Sequence, residues 1–271
     1  MDILDYLIKY LLEEKNEIYD NIPKDYIEKK KLYRALVNVR EPLPISDEYL
    51  KAESKYLKEE LDKEDITDVS NINAITEKYT NTNLKNPEKI CLRQGDITKL
   101  NIDCIVNAGN SQGLGCFLPN HNCIDNQINT YAGVPLRLKC NEIMKLKDYY
   151  LNTSDVIITD GYNLPAKKII QTVGPIIENY VTEEKINQLS NCYINSLNLA
   201  IDNNIKTIAF PCISTGVFRF PKDLASKIAI NTVDEFISKN KNKLDKVVFN
   251  LWSNEDVIIY EKNIRWYKRN D

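Results

Sequence analysis

The pattern that most narrows the fold of this chain begins at Lys89, where short, uninterrupted apolar runs alternate with longer helical stretches. Ile90-Cys91-Leu92, Cys104-Ile105-Val106, Val156-Ile157-Ile158, Ile169-Ile170-Gln171-Thr172-Val173, Ile208-Ala209-Phe210 and Val247-Val248-Phe249 read as strands. Residues 136–146, 183–201, 221–238 and 255–267 read as helices. A strand apolar at nearly every position is buried on both faces, whereas a solvent-facing strand alternates. The interleaved helices then supply the covering layers. The pattern predicts a three-layer α/β/α fold about a mixed, largely parallel sheet, with ligands collecting outside the carboxyl ends of its strands.

The first third of the chain is of another kind. Ile3, Leu4, Leu7, Ile8, Leu11 and Leu12 recur at helical spacing, as do Tyr26, Ile27, Leu32, Tyr33, Leu36 and Val37. A third helical stretch over 47–64 carries Leu50, Leu57 and Leu61, and Pro42 and Pro44 break the chain before it. Residues 71–87 are polar and rich in Asn and Thr, the composition of a linker or a surface loop. The chain thus divides into a helical N-terminal extension over 1–85 and an α/β unit over 86–271.

Composition bounds the partners. Hydrophobic residues are 43% of the 271, enough for a sizeable core. The net charge of −3 argues against a long nucleic-acid partner, which selects basic faces. A single nucleotide remains possible, because backbone amides hold phosphates without net positive charge. No apolar run approaches the roughly 20 residues of a membrane span. Seven cysteines, an odd number, and a start (Met1-Asp-Ile-Leu-Asp) without basic residues suit reduced thiols in the cytoplasm.

Three segments fall where the ligand is expected. Gly95-Asp96-Ile97-Thr98 follows a strand; its carboxylate suits a base amine and the next amide a ring nitrogen, although a plain helix cap fits too. Ser214-Thr215-Gly216-Val217-Phe218 lies between a strand and a helix, where small residues let amides face a diphosphate. Val106-Asn107-Ala108-Gly109-Asn110 offers Asn side chains to ribose hydroxyls. Cys116, His121 and Cys123 follow within eight residues, on a loop kept irregular by Gly113, Gly115 and Pro119. His121 is the single histidine of the chain. Two thiolates and an imidazole suit zinc and disfavour magnesium or calcium, while two buried thiols beside a surface ring also fit the residues.

Taken in order with Gly161-Tyr162-Asn163-Leu164-Pro165-Ala166-Lys167 and Thr172-Val173-Gly174-Pro175, these segments resemble the macrodomain family over about residues 89–265. Two departures stand out. The stretch from Gly113 through Asp125 replaces the glycine run that leads into Val-Asp-Gly in most members, and it looks like the zinc-binding subclass with a helical N-terminal extension. Gln171 stands where many members have His. The resemblance implies a macrodomain fold and roles residue by residue. Asp96 and Ile97 read adenine; Ser214, Thr215, Gly216, Val217 and Phe218 wrap the diphosphate, with the Phe218 ring near the distal ribose. Asn110 binds that ribose beside Asp125, and Cys116, His121 and Cys123 hold one Zn2+ per chain.

The implied activity is removal of ADP-ribose from modified proteins, by cleavage at C1 of the distal ribose. The metal would meet a distal-ribose hydroxyl or the attacking water, which Asp125 orients or deprotonates. Two alternatives stay open: a reader that binds ADP-ribose without cleaving it, and a closed structural metal site completed by Cys104, Cys140 or Cys212. A Cys123–His121 nucleophile pair is disfavoured by the single residue between them. On the resemblance alone, the partners are an ADP-ribosylated protein, a sirtuin-like ADP-ribosyltransferase and its lipoyl-carrier target.

Overall fold

The computed structural model describes residues 2–16, 22–79 and 82–265. Three helices open it: α1 (Ile3–Glu14), α2 (Tyr26–Val39) and α3 (Asp47–Leu61). The side chains of Asp25 and Ser46 cap α2 and α3 by accepting from the Glu28 and Tyr49 amides. Their apolar stripes meet in a core of their own, which includes Leu7, Ile8, Tyr33, Leu36, Tyr49 and Leu57.

The α/β part follows. Two short strands, β1 (Thr67–Asp68) and β3 (Leu100–Asn101), pair in parallel outside the main sheet. The main sheet holds β2 (Ile90–Gln94), β4 (Cys104–Gly109), β5 (Val156–Asp160), β6 (Lys168–Val173), β7 (Thr207–Phe210) and β8 (Lys246–Leu251) in the order β2-β8-β7-β4-β6-β5. All neighbours are parallel except β5, which runs antiparallel to β6 at the edge. The six strands read from the sequence are these six. Helices α4 (Ile124–Ala132), α5 (Val134–Lys145), α6 (Glu183–Asp202), α7 (Lys222–Lys239) and α8 (Asn254–Arg265) complete the chain. The sequence extended the last helix to 267; Trp266 and Tyr267 lie outside the described residues.

The pleat divides each strand between two cores. Cys104, Val106, Ile208, Phe210, Val247 and Phe249 face the side covered by α6, α7 and α8. Ile105, Ala209, Val248 and Ile169 face the opposite side, covered by α4 and α5. By the same parity Asn107 and Gln171 point toward α4. Helix α2 packs on the outside of α4, so the extension forms a further tier over this face. No helix among the described residues is long and apolar enough to cross a membrane.

The structure adds one helix and sharpens one reading. Helix α4 was not foreseen, because Ile124 and Ile128 are its main apolar marks in a segment crowded with Asn and Thr. The described residues of 71–87, read as a linker or a surface loop, form a loop pinned to the α/β part at a few points. Ile72, Ile75 and Leu84 are buried, Ala74 bridges Cys91, and the Lys85 and Asn86 amides donate to the buried Asp234 carboxylate. A few apolar anchors in a polar stretch carry no periodicity, so only the packed structure reveals them.

Candidate functional site

The carboxyl ends of β2, β4, β6, β7 and β8 open into one cleft of roughly 700 Å³. The site residues singled out from the sequence line it, Asn107 excepted: Asp96, Ile97, Asn110, Cys116, His121, Cys123, Asp125 and Ser214 through Phe218. Parallel strands point their free ends the same way, so segments more than a hundred residues apart converge on one rim. A smaller cavity of roughly 530 Å³ adjoins it across Asn110, Gly174 and Phe218 and is walled by Tyr150, Ile176 and Tyr180.

At one end, Asp96 caps the 3-10 turn Ile97–Lys99, its Oδ1 accepting from the Thr98 amide (2.9 Å) and hydroxyl (2.7 Å). The helix-cap reading and the ligand reading of Asp96 are therefore compatible, since the same side chain lines the cleft. The loop after β7 is held by its own backbone. The Phe220 amide donates to the Ser214 carbonyl (2.9 Å), Arg219 to Gly216 (3.0 Å), and Ile177 to Phe218 (2.9 Å). Among the described residues, the amides of Gly216, Val217 and Phe218 find no backbone acceptor. Amides free to donate into a cleft make a ready anion site. Gly174 lets this loop close in, because a Cβ there would stand 2.0 Å from the Ser214 hydroxyl oxygen.

At the other end Asp125 lies in the first turn of α4 and is 4% exposed. Three asparagines donate to it: Asn107 (2.7 Å) and Asn129 (3.0 Å) to Oδ1, and Asn110 (3.4 Å) to Oδ2. Burial pushes its carboxyl up to about 6, against the bond from Asn107 and the nearby Arg137 charge. Gln171 is buried behind this group and accepts from Asn107 (3.3 Å). Gly115, at φ 87°, brings the preceding loop against Asn129, where a Cβ would meet the side chain at 2.6 Å.

Beside Asp125, Cys116, His121 and Cys123 gather their ligand atoms within 4.8 Å of one another. Cys116 Sγ and His121 Nδ1 are 3.6 Å apart. A tetrahedral zinc ion, with bonds of about 2.3 Å to sulfur and about 2.1 Å to nitrogen, holds such a pair about 3.6 Å apart. The donor set and the Cys116–His121 spacing fit that ion. Cys104, Cys140 and Cys212 do not join the cluster; Cys104 turns to the opposite face of the sheet. Cys123 also caps α4, its sulfur accepting from the Asn126 amide at 3.4 Å.

The family profile described as Macro domain matches residues 106–229. The chain is 43% identical to a protein-ADP-ribose hydrolase of Treponema medium over 258 residues, 95% of this chain and 96% of that one. The chain belongs to the macrodomain family. A protein-ADP-ribose hydrolase of Staphylococcus aureus (strain MRSA252) is also 43% identical, covering 96% of this chain and 94% of its own. Among solved structures, the Trypanosoma brucei macrodomain in complex with ADP-ribose aligns with a TM-score of 0.65 at 25% identity, over 84% of this chain and 94% of that one. The Oceanobacillus iheyensis macrodomain with MES bound gives a TM-score of 0.60 at 36% identity, over 65% and 90%.

The macrodomain site holds more than the motifs marked. Cys212, Asn250 and Trp252 also line the cleft, from the ends of β7 and β8. Asn107 belongs to a quoted motif, yet it is fully buried and serves Asp125 instead of the open cleft. Asn129 sits one helical turn after Asp125, a spacing that places both on one face of α4; that helix was not foreseen, so the spacing had no helix to be read on.

Proposed function

We propose that this chain is a zinc-dependent hydrolase that removes ADP-ribose from modified protein side chains. The observation that carries the proposal is the buried Asp125 carboxylate beside Cys116, His121 and Cys123, in a cleft also lined by the amide-rich loop after β7. The names of the two bacterial relatives point to the same reaction.

In this reading Asp96 accepts from the adenine amine and the Ile97 amide donates to a ring nitrogen. The amides of Gly216, Val217 and Phe218 hold the diphosphate, with Ser214 and Thr215 shaping the turn. The Phe218 ring and Asn110 fix the distal ribose. Asp125, oriented by Asn107, Asn110 and Asn129, takes a proton from the water that attacks C1. The bond from C1 to the side-chain oxygen breaks, and the proton taken by Asp125 passes to that leaving oxygen, which restores the carboxylate. Cys116, His121 and Cys123 hold the zinc, whose charge favours deprotonation of a hydroxyl or water at neutral pH. The protein side of the bond lies toward the adjoining cavity with Tyr150, Ile176 and Tyr180. A sirtuin-like transferase and its lipoyl carrier are the proposed partners on resemblance alone.

The test is release of labelled ADP-ribose from an auto-modified ADP-ribosyltransferase, followed on a gel. Cys116→Ala and His121→Ala are expected to cut the rate by about 100-fold or more while ADP-ribose still binds. Full turnover by a metal-free variant would remove zinc from the mechanism. Binding without any release, even by the zinc-loaded chain, would make the protein a reader.

A further inference from the structure

We infer that helix α2 of the N-terminal extension is the scaffold of the metal-binding loop, with Arg34 and Asn38 as positioning residues for Cys116, His121 and Cys123. The inference rests on the zinc reading above and assigns the extension a part in it.

The loop cannot hold itself. None of residues 116–123 is buried, so little apolar packing of their own keeps them in place. Beyond one bond of its own, from the His121 amide to the Leu118 carbonyl (3.3 Å), its fixed points are polar and come from outside. Arg34 donates from Nη2 to the His121 carbonyl (2.8 Å) and, through Nη2 and Nε, to Asn126 Oδ1 (2.8 and 3.2 Å). Asn126 passes the restraint on, donating from Nδ2 to the Leu118 carbonyl (2.8 Å) and from its amide to Cys123 Sγ. Asn38, 1% exposed, accepts from the Asn120 amide (3.0 Å) and donates to Thr130 Oγ1 (2.9 Å). Asn120 has φ 55°, a left-handed conformation that such a bond helps to hold.

The same helix is tied to the start of the loop. Arg137 donates from Nη1 to the carbonyls of Val37, Asn38 and Arg40, which the end of α2 leaves without helical partners. From Nε and Nη2 it reaches the carbonyls of Leu114 (2.8 Å) and Cys116 (3.4 Å), and the Phe117 ring lies over its guanidinium at 4.2 Å. Helix α2 thus holds the His121 carbonyl and the turn at Asn120 directly, and it anchors the α5 arginine that holds the Cys116 carbonyl. Groups of this kind around a metal site typically change its affinity by about 10–100-fold when lost.

The experiment uses the full chain loaded with Co2+, whose thiolate absorption reports the site, and reads metal release to a chelator, kcat and ADP-ribose affinity. Arg34→Gln and Asn38→Ala are expected to release metal about tenfold faster and to lower kcat, with ADP-ribose affinity and thermal midpoint close to the unaltered chain. Arg34→Lys should not restore the wild-type rate, because a point charge cannot serve both acceptors of the fork. Should Asn38→Ala fail to fold, Arg34→Gln at its half-buried position carries the test. Folded variants with unchanged metal release and kcat would overturn the inference. A parallel fall in ADP-ribose affinity and thermal midpoint would overturn it too, since that marks mere docking of the extension. An unaltered chain that takes up no cobalt would instead overturn the zinc reading itself, before any variant is made.

Discussion

The two ends of the cleft are built by opposite means. The loop after β7 is held by main-chain hydrogen bonds and offers main-chain amides. The loop between β4 and α4 is held by side chains of α2, α4 and α5 and offers two sulfurs and an imidazole. A backbone-built site depends on conformation and tolerates many side chains; a side-chain-built site fails with one atom. Affinity for the nucleotide and turnover should therefore separate under mutation, each following its own end.

The most severe break of that comparison is Asp125→Ala. It leaves the amide-rich loop untouched and removes the proposed acceptor of the attacking water's proton. Single-turnover label release should slow by about 10²- to 10⁴-fold, the usual worth of a positioned base, with ADP-ribose affinity by calorimetry changed only a few-fold. A comparable loss of affinity would show that the two ends are one unit.

Gly174→Ala attacks the other end. The added methyl meets the Ser214 hydroxyl and the Ile213 side chain, so these side chains, and with them the loop that carries them, are pushed from their places. Kd for ADP-ribose should rise by about tenfold, or about 1.4 kcal/mol, with kcat at saturation little changed. If kcat falls and Kd stays, the loop contributes to the transition state instead.

The smallest effect tests how the extension is joined to the rest. Glu53 of α3 is fully buried, accepts from Tyr33 (2.8 Å), and caps the start of α5 through the Val134 amide (2.9 Å). Burial raises its carboxyl to about 7, against the bonds from Tyr33, Val134 and Tyr49. Because the folded value lies above the unfolded one, the protonated carboxyl stabilises the fold. That contribution is full below pH of about 4.5 and is lost as pH rises through about 7. Thermal midpoints should fall across this window, and Glu53→Gln should flatten the slope by a few degrees, roughly the effect of a kcal/mol. An unchanged slope would place the titration elsewhere.

Legibility followed the range of the interactions. The strands were readable because continuous apolar runs, such as Val247-Val248-Phe249, report burial locally. The Asp96 and Ser214–Phe218 segments were readable because turn residues sit where strands end. The three metal-ligand candidates were readable because they fall within eight residues of one another. Helix α4 was not, since its Asn residues are buried by partners on other strands and helices, and such partners leave no mark on spacing.

What the chain determined by itself is therefore the sheet, the rim of strand ends and the chemistry placed on it, all of which arise from patterns within a few residues. What only the tertiary structure decided is the support. Arg34 meets the His121 carbonyl across 87 positions of sequence, and Asn107 meets Asp125 because pleat parity and one turn of α4 coincide. Hydrogen bonds of that kind depend on how separate elements pack, and no local pattern encodes the angle at which one helix lies on another.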